Sequence, residues 1–522
     1  MNSRTRFDLN WILVALLTVV AVAPLCYPGF FEAQSGFLPT FNVAHLAEAP
    51  HWGRLADPPR SEGRLPYLLA QPFLWLTGSG VGAIKWGYGL AFVLGALGVY
   101  AWTRAWLGDK GGLLAAVVYT YLPWHLSSIY VRGAYAEAWL WAWWPLILWA
   151  ADRLAEQRPA AVLASLAVGL PLLAATFWTQ PGLACLFVPL LVAYAVLVPE
   201  RRPRPVVRFV AVLAPLLLLW LAARWLPGAS ASFAGQFVYP FQLFSAAWGE
   251  GLHFQLGVAA VGLSIVAVAL WFRSKDRGPE TDDPPSELRT HRGITTRIFW
   301  FWTGVLVLLV LLLLPFSSFF WSVSGLEAFL TYPWQLLALA GLPLAFLAGS
   351  VIRLDERLGE LPAWAGLVAL VVLASYPYLA PRFTQVDPGA QPAALIQPVG
   401  AEALQIMLLD YEVAAPTEIT PTLALTLTWQ AVAPLADDYT VFVHVLASEA
   451  KIAQRDSRPC DGECPTPGWQ PGEIVVDRHR LHLPLDAPPG PYRLAVGLYL
   501  LGSGERAAVV GNDEGTAILD VP

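Results

Sequence analysis

The sequence predicts an α-helical polytopic membrane protein, of about 11 transmembrane helices, followed by an all-β sandwich domain. Three observations predict it. The 522 residues are 56% hydrophobic and only 13% charged, with a mean hydropathy of +0.53, whereas soluble domains carry about 25% charged residues. Apolar runs long enough to cross about 30 Å of hydrocarbon as helices recur along the first three quarters of the chain. From about residue 397 the pattern changes to alternation with period two, broken by Pro, Gly and Asp turns, as expected of half-buried antiparallel strands.

The apolar runs fall near 10–28, 82–104, 111–129, 135–151, 159–177, 181–198, 206–226, 252–272, 298–315, 333–350 and 362–380. The first follows "MNSRTR" and leaves through "PLCYPGFF", which lacks a convincing cleavage site, so it is expected to remain as an anchor. "LPYLLAQPFLWL" at 65–76 is too short to span and carries two prolines, so a re-entrant or interfacial helix is expected there. The polar stretch 273–297 reads as a flexible linker. The membrane domain is thus expected over 1–386, with a large first loop at 29–64. A linker at 387–396 contains "DPGAQPA", and the sandwich covers 397–522. In "TLALTLTW" Leu423, Leu425, Leu427 and Trp429 share one face, and in "YTVFVHVL" Val441, Val443 and Val445 share another.

Positive charge sets the expected orientation, because Lys and Arg concentrate in cytoplasmic loops. With the N-terminus cytoplasmic, the inner segments hold 18 of the 32 Lys and Arg, and the outer side of the membrane part holds six. An odd number of spans then puts the C-terminal domain outside the cytoplasm, as expected of a multi-pass protein of the plasma membrane.

Several function classes are disfavoured. No G-x-x-x-x-G-K-[ST] phosphate loop occurs, which argues against ATP-driven transport. The spans hold almost no mid-membrane ionisable residue and no internal repeat, which argues against ion-coupled transport. No basic run points to nucleic acid. Cys26 and Cys185 lie in or beside apolar spans. Cys460 and Cys464, in "CDGECP", can close a small disulfide loop if the tail meets an oxidising compartment, and the sequence places no further soft ligands near them for zinc.

Polar chemistry is left at the outer face. The first loop holds Glu32, His45, Glu48, His51, Asp57 and Glu62. "HLAEAPH" puts His45, Glu48 and His51 on one side of a helix that Pro50 interrupts, so an amphipathic helix on the bilayer is the better reading than a metal site. "YVRGAYAEAW" (130–139) breaks two very apolar stretches with Arg132 and Glu137. Glu137 falls in the first turn of the next helix, where a carboxylate suits the dipole, and Arg132 can pair with it. Alternatively the planar fork of Arg132 suits a lipid-linked phosphate. Either way Arg132 is expected to be buried, lining a polar pocket with Glu137 and first-loop residues.

The order of one N-terminal span, a large first loop, "YVRGAYAEAWLWAWWPLILW" and later "LTYPWQLLAL" resembles a bacterial membrane family. That family is labelled "6-pyruvoyl-tetrahydropterin synthase related" and is similar to glycosyltransferases of the GT-C fold. The resemblance covers roughly residues 8–380. Pterin synthase chemistry needs a zinc held by three histidines in a soluble barrel, which this chain does not supply. The resemblance implies instead a glycosyltransferase moving a sugar from a polyprenyl-phosphate carrier to a surface glycan, lipid or protein. It implies a first-loop carboxylate, Glu32 or Asp57, as base, Arg132 and Glu137 at the donor phosphate, and His45, Glu62 and Gln335 near the pocket. A divalent cation, magnesium or manganese, is compatible with that chemistry. The chain departs from the family pattern at Glu32, which stands alone where an Asp followed by Gly is usual. It departs again at "WTQPG", which replaces His-Asn, and at Gln335, which replaces Arg.

The tail resembles sandwich domains attached to such proteins, and similar sandwiches often bind carbohydrate on aromatic rings. Trp429, Trp469, Tyr492 and Tyr499 are the candidates, with Trp469 in "PTPGWQPGE" the best placed for glycan contact and core packing the better reading of Trp429 and Tyr499. The alternative to an enzyme is a non-catalytic membrane platform that displays the sandwich for glycan binding or envelope organisation.

Overall fold

The computed structural model describes residues 9–31, 33, 38–44, 46, 63–155, 159–199, 205–226, 233, 236–244, 254–276, 286–330, 332–381, 383, 393–401, 404–414, 422–433, 435–447, 450–469, 474–484, 487–488, 491–512 and 514–521. The helical part comprises α1 (Leu9–Leu17), α2 (Val19–Val22), α3 (Leu38–Ala44), α4 (Leu65–Thr77), α5 (Gly80–Thr120), α6 (Pro123–Tyr130), α7 (Tyr135–Ala155) and α8 (Pro159–Thr179). It continues with α9 (Pro181–Leu197), α10 (Pro205–Ala223), α11 (Val258–Asp276), α12 (Ser286–Leu313), α13 (Ser318–Ser324), α14 (Leu337–Leu354) and α15 (Leu361–Ala374).

Among the described residues six helices are long and apolar enough to cross a membrane, not eleven: Leu9–Cys26, Gly80–Tyr130, Pro159–Thr179, Val206–Ala223, Thr296–Leu313 and Pro333–Leu354. Three physical reasons account for the difference. The runs at 82–104 and 111–129 fall in the single apolar stretch Gly80–Tyr130 and are not counted separately, although the non-helical Gly108 (φ 74°, ψ 175°) divides that stretch into two helices, as the two runs predict. The apolar parts at Pro181–Leu197, Val258–Ser274 and Leu361–Ala374 have fewer than 18 residues, and at 1.5 Å per residue they fall short of about 30 Å of hydrocarbon. The run at 135–151 forms a 21-residue helix, α7, but its Trp-rich sequence, with Glu137 and Arg153 at its ends, is not among those apolar enough for a span. The 65–76 run forms the 13-residue α4, too short to span, as expected. The expected linker at 273–297 is in part helical, since α11 runs to Asp276 and α12 starts at Ser286.

The lipid-sized apolar surface is distributed unevenly. Helix α14 is buried at every position from Leu337 to Ile352, which is why it is apolar all round. It crosses α5 closely where Gly111 meets Gly349: a Cβ on Gly349 would sit 2.6 Å from the Gly111 carbonyl oxygen, so small residues set the approach. In contrast, no residue of the Val206–Ala223 span is buried, as suits a helix facing acyl chains. Far from the Arg132 turn, α5, α7 and α9 are stapled by polar contacts. Tyr194 donates to Asp152 (2.7 Å), Trp106 Nε1 donates to the other Asp152 oxygen (2.7 Å), and Trp102 Nε1 donates to the Tyr194 hydroxyl (3.1 Å).

The tail forms two antiparallel sheets. Strands β1 (Ala394–Gln397), β2 (Ile406–Ala414), β3 (Thr422–Ala431), β4 (Tyr439–Ala447), β5 (Ala450–Ser457), β6 (Ile474–His482), β7 (Tyr492–Leu500), β8 (Ala508–Val509) and β9 (Ala517–Asp520) are ordered β6-β3-β2-β1-β8 and β5-β4-β7-β9. Leu423, Leu425, Leu427 and Trp429 face Val441, Val443, Val445, Leu494, Val496 and Leu498 in one core between them, as alternation predicts. Strand β1 takes in residues 394–396, which composition assigns to the linker. In β1 and β2 the alternation disappears because both faces are covered. Ile396, Ile406 and Leu408 point into the sandwich core, while Leu395, Met407 and Leu409 join the core of the helical part. A strand buried on both sides reads as a continuous apolar run, here "IMLL".

Candidate functional site

The turn quoted above is built by local backbone chemistry. Helix α6 starts at Pro123, whose missing N–H costs nothing at a first helical position. It closes with Val131 and Arg132 N–H both donating to the Ser127 carbonyl (2.9 and 3.0 Å) and Ala134 N–H donating to Ser128 (2.8 Å). Gly133 supplies the left-handed residue (φ 71°) that redirects the chain into α7. Arg132 therefore sits in the turn and Glu137 in the first turn of the following helix.

The two side chains form a two-pronged pair. Arg132 Nη1 donates to Glu137 Oε2 at 2.8 Å and Nη2 donates to Oε1 at 2.9 Å. Glu137 is 1% exposed, and the Arg132 side chain keeps 15% of its surface open. Ser128 Oγ lies 3.5 Å from Nη1. The guanidinium also lies over two indoles, 4.7 Å from the Trp334 ring centre and 5.6 Å from that of Trp124, with the rings 5.7 Å apart. Both indole N–H groups are buried, and neither has an acceptor among the described residues. Trp139, Trp141 and Trp144 of α7 share that condition; what sets Trp124 and Trp334 apart is the cation lying over both rings. The end-on pairing with Glu137 occupies two of the guanidinium's five N–H groups and leaves its side-on edge for another acceptor.

The positions singled out by sequence divide into three groups. Arg132 and Glu137 are brought together. Gln335 is next to Trp334, but its Oε1 accepts from the Tyr332 N–H (3.1 Å) and caps the turn that starts α14. Glu32, His45, Glu48, His51, Asp57 and Glu62 lie outside the described residues. Of their described neighbours, Phe31, beside Glu32, packs edge-on against Tyr130 (5.6 Å) and at a tilt against Tyr88 (6.0 Å), whereas Gly63, beside Glu62, donates its N–H to the Thr179 carbonyl (2.9 Å). Neither of two small cavities in the bundle reaches Arg132; the larger, about 10 Å³, is lined by Phe92, Tyr119, His125 and Trp141. Among the described residues no three His, Cys, Asp or Glu side chains gather as metal ligands.

Sequence reasoning passed over His125, which is 2% exposed. Its Nδ1–H donates to the Tyr119 carbonyl (2.7 Å) and its ring stacks on Trp141 (4.0 Å). Trp124 and Trp334 were also passed over, because nothing in either local pattern links positions so distant in the chain.

In the sandwich, Trp469 is 3% exposed, its Nε1 donates to the Cys464 carbonyl (2.9 Å), and its ring belongs to the core. It offers no face to a glycan, because the turn carrying it folds inward. Trp429 is fully buried, Tyr492 donates to the Pro488 carbonyl, and Tyr499 is partly open beside Asp456. Cys460 and Cys464 are joined as a disulfide. Beneath that loop lies a pair visible in "VVDRHRLHL" only once register is known. Asp477 and His479 share the inward face of β6 with Val475 and Leu481, His479 Nε2 is 2.7 Å from Asp477, and the Cys460 N–H donates to the other Asp477 oxygen (2.8 Å).

No known family, curated protein or solved structure matches this chain.

Proposed function

We propose that the chain works at the outer surface of the plasma membrane on a lipid-linked phosphate, as a glycosyltransferase-like protein that passes a sugar from a polyprenyl phosphate to a cell-surface acceptor. The observation that carries this reading is the Arg132 guanidinium lying over Trp124 and Trp334, two buried indoles whose N–H donors find no acceptor among the described residues. A phosphate oxygen answers both the unfilled side-on edge of the guanidinium and those donors. The N-termini of α7 and of the turn leading into α14 add positive potential close by. In this reading Arg132 neutralises the charge that develops on the departing phosphate, Glu137 positions Arg132, and Glu32 or Asp57 takes the acceptor's proton. No step is assigned to a metal ion.

A second reading is favoured by two observations. Glu137 already fills the end-on fork of Arg132, and the sandwich seats Leu395, Met407 and Leu409 on the helical core. Both features suit a non-catalytic platform that holds the sandwich at the membrane surface.

One experiment separates them: photo-crosslinking of a labelled polyprenyl phosphate in membranes carrying the intact chain. The enzyme-like reading expects Arg132→Ala to abolish labelling, Arg132→Lys to restore it only in part, and Trp334→Phe, which keeps a ring but removes the N–H, to weaken it. Equal labelling in all variants at equal protein levels would leave the platform. Orientation is checked separately with a Leu501→Cys variant lacking Cys26 and Cys185; reaction with an impermeant reagent on intact cells supports an outer sandwich, and reaction only after permeabilisation reverses it.

A further inference from the structure

Two short segments outside the spans carry an aromatic surface that the phosphate reading does not use. Residues 236–244 ("QFVYPFQLF") and 315–324 ("PFSSFFWSVS") contain no charged residue. Each is attached to the C-terminal end of the Thr296–Leu313 span. Val238 N–H donates to the Leu313 carbonyl (2.9 Å). Trp321, 1% exposed, donates its Nε1 to the Leu312 carbonyl (3.0 Å). Ser317 Oγ lies 2.8 Å from the carbonyls of both Leu312 and Leu314, and Phe233 packs on Trp321 at 5.3 Å.

With Trp321 as the pin, the surrounding rings face outward. Tyr239, Phe241, Phe244, Phe316, Phe319 and Phe320 are 53, 44, 52, 67, 75 and 48% exposed. In a water-facing loop this would be a costly arrangement of bulky apolar side chains. The backbone points to a different surrounding. The last carbonyls of a helix normally find water, yet at this end Leu312, Leu313 and Leu314 are all met by protein donors, as is required where water is scarce. The exposed rings also continue the uncovered surface of α10, whose Ala223 Cβ would lie 3.1 Å from a Cβ on Gly325, just beyond α13.

We propose that segments 236–244 and 315–324 form one aromatic ridge embedded in the acyl-chain side of the bilayer interface, with membrane lipid as its partner. The ridge ends the spanning helix inside the lipid and anchors this end of the bundle in the plane of the membrane.

The test is nitroxide labelling of the full chain, with Cys26 and Cys185 replaced by Ser, in phosphatidylcholine–phosphatidylglycerol vesicles. Labels at Phe319→Cys, Phe320→Cys and Phe241→Cys are compared with Leu217→Cys on α10 and Leu501→Cys in the sandwich, 55 and 65% exposed. Oxygen-to-nickel collision ratios at the three ridge positions are expected to match Leu217 and to exceed Leu501 by at least about tenfold, because the polar nickel complex is excluded from hydrocarbon. Ridge ratios equal to that of Leu501 would overturn the proposal. Phe319 and Phe241 lie on separate segments, so distortion of one by a label leaves the other as an independent reading. A Leu217 ratio that stays lipid-like while both ridge positions are water-like refutes the ridge without touching the span.

Discussion

Removing one member of the Arg132–Glu137 pair should cost far more than removing both. Glu137 is 1% exposed and its partner's side chain 15%, so each deletion strands the other charge in a poorly hydrated place. Breaking such a buried pair costs about 3–5 kcal/mol. Arg132→Ala belongs at the upper end, because it also removes the stacking on Trp124 and Trp334, worth about 0.5–2 kcal/mol, while the α7 N-terminus returns about 1 kcal/mol to the stranded carboxylate. Glu137→Ala leaves the cation its two indole faces and some solvent, and should cost about 3 kcal/mol. Arg132→Met with Glu137→Leu should come back to within about 1 kcal/mol of the wild type, since a packed apolar pair replaces a desolvated ionic one. Thermal unfolding of detergent-solubilised protein, followed by intrinsic tryptophan fluorescence, reads the order of stability; because heating a membrane protein is commonly irreversible, the order and not the absolute value is compared. Melting of the Met/Leu double variant below both alanine variants would refute the reasoning, as would wild-type stability in Glu137→Ala.

Four further outcomes follow from the sandwich. A fragment starting at residue 397 lacks β1 and with it Ile396, 1% exposed, so it should be β-rich by far-ultraviolet dichroism but less stable, by about 2–3 kcal/mol, than a fragment starting at 387. Both fragments uncover Met407 and Leu409 and should self-associate by light scattering, an effect that Met407→Gln with Leu409→Gln removes. Reducing the Cys460–Cys464 bridge opens a loop of about five residues and should lower sandwich stability by about 2 kcal/mol, with the loss read by urea titration in the presence and absence of a phosphine; an unchanged midpoint contradicts it. Burial, with Lys451 and Arg506 outweighing Asp456, holds the His444 imidazole below its ordinary value of 6.5. A depressed folded value means the neutral ring contributes stability above 6.5 that is lost as pH falls below it, so wild type should lose more stability than His444→Gln between about pH 7.5 and 5, and parallel pH curves would contradict this.

The sequence by itself determined the parts of this protein that answer to local periodicity and solvent. Strands β3, β4 and β7 are legible in "TLALTLTW", "YTVFVHVL" and "PYRLAVGLYL" from the period-two alternation of their large apolar residues, although burial itself alternates only in β3, the middle of β4 and of β7 being covered on both faces. The pairing of Arg132 with Glu137 was legible too, since a five-residue separation across one glycine turn limits where the two can go. Tertiary structure alone decided the rest. Strands β1 and β2 escape period two because a second surface, the helical core, covers their outer face. Among the described residues six helices, not eleven, are long and apolar enough to span, because hydropathy marks apolar stretches and not where a helix starts or stops. Trp469 reads as a surface turn residue, yet its turn folds inward over the disulfide loop. Trp124 and Trp334 meet over Arg132 although their chain separation is large, and the Asp477–His479 pair faces inward because of its register. In each case the deciding quantity is which surface covers a residue, a property of the assembled chain that no single segment carries.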